Sequence, residues 1–209
     1  ETVLMSRREE SLDRALEAIH RYAGDLGRHG LLRGETPEAV IARIRTVTEV
    51  EEAVRDAEFI LESIPEDLEA KQALFEQMET AADREAILAS NTSGLPITDL
   101  GARMVHQDRI AGSHFVQPGH IVPVVEVIRG RETSDETMSR TCEIWERLGR
   151  ITLRVNQDVP GFLVNRLQHA IIREAVHLLA TGVADAETID QAVSLGLAPR
   201  FTTAGPLEQ

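Results

Sequence analysis

The chain has 209 residues, 42% hydrophobic and 27% charged, so it can bury a core and is not a disordered polypeptide. Its 22 lysines and arginines against 35 aspartates and glutamates leave a formal net charge of −13, which repels nucleic acids and anionic membranes. The single cysteine, Cys142, excludes an internal disulfide and a thiolate cluster for structural zinc, and it favours a reducing compartment.

The chain alternates short apolar runs with amphipathic segments whose apolar residues are three and four apart. In chain order, the apolar runs predict strands over residues 2–5, 46–48, 59–61, 86–89, 109–115, 124–128 and 151–155. Between them, the spacing predicts helices over residues 11–30, 50–57, 68–82 and 135–148, and a short helix opened by Pro37. Ser11 is predicted to cap the first of these helices, and Ser134 or Thr133 the last.

This alternation predicts a doubly wound, mainly parallel α/β sheet with helices on both faces. After Pro160-Gly161 the pattern becomes helical, with segments over about 163–182 and 186–195. We therefore predict an α/β domain over residues 1–158 and the start of an all-helical domain over 159–209. Because the chain has no initiating Met and ends without a closing helix, both domains are expected to be truncated.

No apolar run approaches the roughly 20 residues that a bilayer span requires, and no basic segment of a signal peptide opens the chain. The histidines other than His114 have no metal-ligand spacing with carboxylates. We expect a cytoplasmic protein without a metal site and without membrane or nucleic-acid partners.

Polar residues that could carry chemistry should follow strands, because ligands of doubly wound sheets bind beyond the carboxyl ends of the strands. Ser6, the turn at residues 90–93 and His114 do so. Glu126 interrupts an apolar strand, where its carboxylate needs a partner such as a histidine to offset desolvation. The alternative for the turn and for His114 is a purely structural hydrogen-bonding role.

The glycines lack the G-x-G pair of the dinucleotide fingerprint, although the chain has 14 of them. In the doubly wound fold the residue that contacts the ribose lies at the end of the second strand, about 20 residues beyond the fingerprint. If residues 2–5 are that second strand, Ser6 occupies the ribose position and the fingerprint would precede residue 1.

Several ordered motifs resemble the 3-hydroxyacyl-CoA dehydrogenase family. They are Ser-Asn-Thr-Ser-Gly at residues 90–94, His114-Phe115, Val-Glu-Val-Ile at 125–128, and Pro-Gly-Phe-Leu-Val-Asn-Arg at 160–166. The resemblance covers the chain from about residue 2 to its end. It implies a Rossmann-type NAD(P)-binding domain without its first strand, followed by part of the family's helical domain, and it implies a homodimer.

The resemblance also assigns roles to individual residues. His114 corresponds to the general base that takes the proton of the substrate 3-hydroxyl, and Glu126 to its orienting partner. Ser93 and Asn165 resemble the pair that positions the substrate oxygen.

Glu66 and Lys71 resemble the family's cofactor-contacting pair, and Asn91 is assigned to the cofactor with them. The alternative for Glu66 and Lys71 is an ordinary surface helix start with an acidic first turn.

Two departures from the family pattern affect the choice of cofactor. Where the family usually has an acidic residue for the ribose hydroxyls, this chain has Ser6 followed by Arg7 and Arg8. Loss of the carboxylate and gain of guanidinium groups favours NADP over NAD slightly. The alternative is a pair of solvated arginines at a helix entrance.

Two further departures concern the substrate. Gln117 stands where acyl-CoA enzymes usually have Asn, and the segment around Arg200 is longer than in those enzymes. It resembles the lambda-crystallin, L-gulonate 3-dehydrogenase and carnitine dehydrogenase branch, so Arg200 could bind a free carboxylate. We predict an L-3-hydroxyacyl-CoA dehydrogenase; the alternatives are a dehydrogenase of a small free 3-hydroxy acid and a non-catalytic, crystallin-like relative.

Overall fold

The computed structural model describes residues 1–208, which form two compact units that divide between Phe162 and Leu163. The first unit combines strands and helices, and the second is helical. This is the fold class that the sequence predicts.

Seven strands belong to the first unit: β1 (Thr2–Met5), β2 (Ile44–Val47), β3 (Phe59–Glu62), β4 (Ile87–Ser90), β5 (Ile110–Phe115), β6 (Val124–Ile128) and β7 (Ile151–Val155). β1 and β2 pair in parallel, and the others form a second sheet in the order β3-β4-β5-β6-β7. The pairings of that sheet are parallel except for β5 with β6, which is antiparallel.

The division into two sheets agrees with the classical doubly wound strand order 3-2-1-4-5. If β1 takes the place of the second strand, as the sequence predicts, β2 is the third and β3 the fourth. In that order, the first strand lies between the second and the fourth. Among residues 1–208 no strand joins β1 to β3, so β1 and β2 form a sheet separate from the one that begins with β3.

Six α-helices accompany these strands: α1 (Glu9–Arg28), α2 (Pro37–Ile41), α3 (Val50–Val54), α4 (Leu68–Ala81), α5 (Ile97–Leu100) and α6 (Asp135–Arg147). The prediction that Ser11 caps the first helix is wrong, because Arg8 is the N-cap and Ser11 lies inside the first turn. Ser134 does cap α6, where its hydroxyl accepts from the Thr137 N–H. The sequence pattern did not indicate α5, which is only four residues long.

The residues of β6 alternate between two hydrophobic cores. Val125 and Val127 pack in a cluster with Trp145, while Ile128 belongs to a larger cluster that includes Phe162. Because side chains alternate along a strand, Glu126 lies on the same face of the sheet as Ile128, the face of the larger cluster.

The second unit contains α7 (Val164–Ala180), α8 (Ala186–Gln191), a π-helical segment (Ala192–Leu197) and α9 (Ala198–Phe201). The predicted helix over 186–195 is thus α-helical only to Gln191. No side chain of α7 is buried, and several of its large apolar residues are exposed. Within residues 1–208, none of the helices has both the length and the apolar character needed to cross a membrane.

Candidate active site

His114 and Glu126 form a buried pair at the centre of the candidate site. They are directly opposite each other in the antiparallel ladder of β5 and β6, so both side chains lie on one face of the sheet. His114 Nδ1 is 2.7 Å from Glu126 Oε2, with 7% of the His114 side chain and 0% of the Glu126 side chain exposed.

This geometry selects one tautomer of the imidazole. An ionised carboxylate can only accept, so Nδ1 donates to Glu126 and the neutral ring carries its free lone pair on Nε2. A histidine held in this way can take a proton at Nε2 while the carboxylate stabilises the resulting imidazolium.

Phe162 lies beside His114 of this pair, and the sequence analysis did not single it out as a site residue. Its side chain is fully buried, and its ring centroid is 5.7 Å from that of His114. Its backbone φ is +50°, an uncommon conformation for a bulky residue, and it follows Gly161 with φ of +77°. Such strain is maintained by surrounding packing and concentrates at functional sites. The burial of its ring in the larger core beside His114 supplies that packing.

Asn91 lies in the turn that follows β4 and is joined to the end of β5. Its side-chain Oδ1 accepts from the Phe115 N–H at 3.0 Å, and its own N–H donates to the Glu62 carbonyl at 2.8 Å. The structure therefore connects Asn91 to the residue next to His114; contact with a cofactor remains a prediction.

Ser93, in the same turn, is exposed, and its backbone N–H donates to Glu66 Oε1 at 2.7 Å. The same Glu66 oxygen accepts from the Thr92 hydroxyl at 2.6 Å. Burial raises the pKa of Glu66, but the hydrogen bonds from Thr92 and Ser93 and the charge of Lys71 outweigh it and leave that pKa below its ordinary value.

Lys71 is a buried residue. The alternative that it belongs to an ordinary surface helix start is therefore wrong for Lys71. Only 1% of its side chain is exposed, and its Nζ lies 2.7 Å from Glu62 Oε1 and 3.3 Å from Glu66 Oε2. It also donates to the Ile64 carbonyl at 2.9 Å.

Glu62 is a site residue that the sequence analysis missed. It ends the apolar run of β3, and the signal that identified Glu126, a carboxylate at the end of or within an apolar strand, would also have identified it.

The remaining predicted site residues lie at exposed or separate positions. Ser6 directly follows β1 and donates its N–H to the Val47 carbonyl, while the side chain of Arg7 is exposed. In the second unit, Asn165 lies in the first turn of α7, and Arg200 is exposed on α9.

Two models of known protein families match the chain. Residues 1–159 match the family described as 3-hydroxyacyl-CoA dehydrogenase, NAD binding domain, and residues 161–208 match 3-hydroxyacyl-CoA dehydrogenase, C-terminal domain. The chain belongs to the 3-hydroxyacyl-CoA dehydrogenase family.

Three similar proteins illustrate the range of the family. The chain is 37% identical to the probable 3-hydroxybutyryl-CoA dehydrogenase of Deinococcus radiodurans over 94% of its own length and 70% of that protein. It is 40% identical to the L-carnitine dehydrogenase of Burkholderia mallei over 86% of its own length and 55% of that protein.

The third is the crystal structure of 5-formyl-3-hydroxy-2-methylpyridine 4-carboxylic acid 5-dehydrogenase, described as an NAD+ dependent dismutase. It matches with a TM-score of 0.87 and 30% identity, over 99% of this chain and 66% of that one. The chain thus spans 55% to 70% of the length of these three proteins.

Proposed function

We propose that the protein is an NAD(P)-dependent oxidoreductase that interconverts an L-3-hydroxyacyl-CoA and its 3-keto form. The observation that carries this proposal is the buried His114–Glu126 pair, in which the carboxylate fixes the imidazole tautomer at 2.7 Å. Family membership supports it, and a nicotinamide cofactor supplies the hydride acceptor. A non-catalytic relative would have no requirement for such a pair.

In the oxidative direction, the 3-hydroxyl loses its proton to Nε2 of His114 as C3 loses hydride and becomes a carbonyl carbon. Glu126 keeps the Nδ1 proton in place and stabilises the imidazolium, as an orienting carboxylate does in other histidine-based sites. Ser93 and Asn165 are assigned to the substrate oxygen through the family resemblance.

The cofactor is assigned to the edge of the sheet where the strands end. Ser6 follows β1, and the exposed guanidinium of Arg7 suits the 2′-phosphate of NADP. Glu66 and Asn91 complete the proposed set, with Lys71 supporting Glu66 from within. Fluorescence titration of the full-length protein should show tighter binding of NADPH than of NADH and loss of this preference in Arg7→Ala. Tighter binding of NADH would contradict the NADP assignment and leave the oxidoreductase proposal intact.

A dehydrogenase of a small free 3-hydroxy acid is the second candidate. Its support is the exposed Arg200 guanidinium, which can pair with a carboxylate, and the similarity to L-carnitine dehydrogenase. Oxidation of NADH and NADPH by the full-length protein should be measured with acetoacetyl-CoA as the substrate and with free acetoacetate as the substrate, at matched concentration. Turnover of the thioester alone supports the first candidate. Turnover of the free acid alone, with a raised KM in Arg200→Ala, supports the second.

We also assign the protein a homodimeric state and a cytoplasmic location. The dimer is supported by the exposed apolar side chains of α7, and the location by Cys142, a single cysteine that cannot form an internal disulfide. Fractionation of the source cells tests the location, and the test of the dimer is given in the Discussion.

A further inference from the structure

A buried charge network lies beneath the turn at residues 90–95, outside the His114–Glu126 pair. Glu62 is 3% exposed and Lys71 1% exposed, and the two side chains are joined at 2.7 Å. A buried ammonium or carboxylate is costly to desolvate unless it is paired, so each of these groups depends on the other.

Glu62 connects the end of β3 to the turn that follows β4. Its Oε1 accepts from Lys71 and from the Ile64 N–H at 2.5 Å, and its Oε2 accepts from the Ser90 hydroxyl at 2.6 Å. The Ser90 oxygen in turn accepts from the Thr92 N–H at 3.2 Å. Both carboxylate oxygens are therefore occupied, and one of them fixes the start of the turn.

Glu66 holds the next part of the same turn. Lys71 lies 3.3 Å from Glu66 Oε2, and Glu66 Oε1 accepts from the Thr92 hydroxyl and the Ser93 N–H. The Thr92 hydroxyl oxygen also accepts from the Leu95 N–H at 3.0 Å. One ammonium thus organises two carboxylates that bind successive residues of the turn.

The turn also influences His114. Asn91 accepts from the N–H of Phe115, the residue that follows His114, and its own N–H donates to the Glu62 carbonyl. If the turn shifted relative to Glu62, Ser93 would move with it. The hydrogen bond from the Phe115 N–H to Asn91, which supports the end of β5, would change at the same time.

We propose that Glu62, paired with Lys71, is a positioning residue that fixes the turn at residues 90–95 and thereby the location of Ser93 relative to His114. This inference rests on the proposed function, in which Ser93 binds the substrate oxygen. A displacement of about 1 Å at such a position can cost about 10²-fold in rate.

Glu62→Gln tests the inference, because it preserves the shape of the side chain but removes the charge and one of the two acceptor oxygens. Kinetics of the full-length protein are measured for this variant, for Ser93→Ala and for the double variant. We expect Glu62→Gln to lower kcat by about 10- to 100-fold. The double variant should be no slower than Ser93→Ala, since a residue that acts through another gives a non-additive effect.

Glu79→Gln is the matched control. Glu79 lies on the same helix as Lys71, is 9% exposed at its side chain, lies 3.9 Å from the buried Arg109 and accepts from the His106 N–H at 2.7 Å. This variant should lower the melting temperature but leave kcat of the folded protein unchanged. A similar fall in kcat for Glu79→Gln, or additive losses in the double variant, would overturn the inference.

Ser90→Ala provides a second variant should Glu62→Gln not fold, since it removes only the hydroxyl between Glu62 and Thr92. A few-fold fall in kcat that disappears in the Ser93→Ala background supports the inference, and an unchanged kcat overturns it. Wild-type protein without dehydrogenase activity would instead overturn the proposed function, so the two failures are distinguishable.

Discussion

At the residue scale, His114 and Glu126 show how strand register creates the geometry on which the proposed catalysis depends. The two residues are twelve positions apart and meet only because they are opposite each other in the β5–β6 ladder. Their burial strengthens the hydrogen bond and makes each side chain costly to leave without the other.

We expect His114→Asn to lower kcat by about 10²- to 10⁴-fold, the usual contribution of general acid–base catalysis, because an amide cannot take the hydroxyl proton. The Kd for NADH or NADPH should be unchanged. His106→Asn, a substitution outside the proposed site, serves as the control and should retain full turnover. If His114→Asn had the same turnover as wild type, His114 would not be the general base.

Glu66 gives a prediction for the acid range. Its folded-state pKa lies below the ordinary value, because hydrogen bonds from Thr92 and Ser93 and the charge of Lys71 outweigh its partial burial. Its contribution to stability is therefore present above the unfolded pKa of about 4.3 and is lost as pH falls through the folded pKa.

Urea unfolding of wild type and Glu66→Gln should accordingly show a difference in the free energy of unfolding at pH 7 that shrinks below about pH 4. Glu69→Gln, at an exposed position one turn along the chain, is the control and should show little difference at either pH. If the free energies of unfolding of wild type and Glu66→Gln differed by the same amount at pH 7 and at pH 3, the prediction would be wrong.

At the element scale, the antiparallel β5–β6 pair depends on a glycine. A Cβ at Gly112 would lie 2.7 Å from the Cβ of Ile128 and 3.0 Å from the Cδ1 of Ile97. β5 and β6 can therefore approach each other this closely only because Gly112, two residues before His114, has no side chain.

Gly112→Ala should destabilise the fold by about 1–3 kcal/mol, the usual cost of overpacking. Gly24→Ala is the matched control: Gly24 lies inside α1, a Cβ there would have its nearest neighbour at 3.8 Å, and alanine should stabilise the helix by up to about 1 kcal/mol. Urea unfolding measures both. If Gly112→Ala were as stable as wild type or more stable, the contact with Ile128 would not limit packing.

At the scale of the whole molecule, α7 leaves a stripe of apolar side chains exposed. Leu167 is 59% exposed and Val176 58% exposed, and the stripe also contains Ile171, Ile172 and Leu179. Exposed apolar stripes of this kind are typical of surfaces covered by another helix or another subunit.

If α7 contributes to the proposed dimer, Leu167→Glu in the full-length protein should shift the mass measured by sedimentation velocity from dimer to monomer. Gln168→Glu adds the same charge at the neighbouring exposed position and should remain dimeric. A monomeric wild type, or a dimeric Leu167→Glu variant, would contradict this role of α7.

Most of the fold was predictable because its signals are local. Strand and helix positions followed from the spacing of apolar residues, and all seven strands lie within a residue or two of their predicted ranges. The exceptions have short-range causes: α5 is too short to show periodicity, and the charged residues Glu9 and Glu10 extend α1 before Ser11 because acidic side chains suit a helix N-terminus.

The site was predictable only as a set of residue types. His114, Glu126, Ser93 and Glu66 could be singled out from motifs. Glu62 was missed although its carboxylate ends an apolar strand, and Phe162 could not be recognised without its contacts. Lys71 illustrates the difference, because its sequence context is that of a surface helix while its ammonium is buried between two carboxylates.

By itself, the amino-acid sequence determined the α/β class, the order of the elements and the family, because apolar periodicity and linear motifs are properties of neighbouring residues. Only the tertiary structure decided that β5 and β6 run antiparallel, which places Glu126 against His114 Nδ1, and that Lys71 organises the turn carrying Ser93. The physical reason is that register and burial depend on pairing between segments distant in the chain, and the free energy of a charge depends on the partners that this pairing supplies.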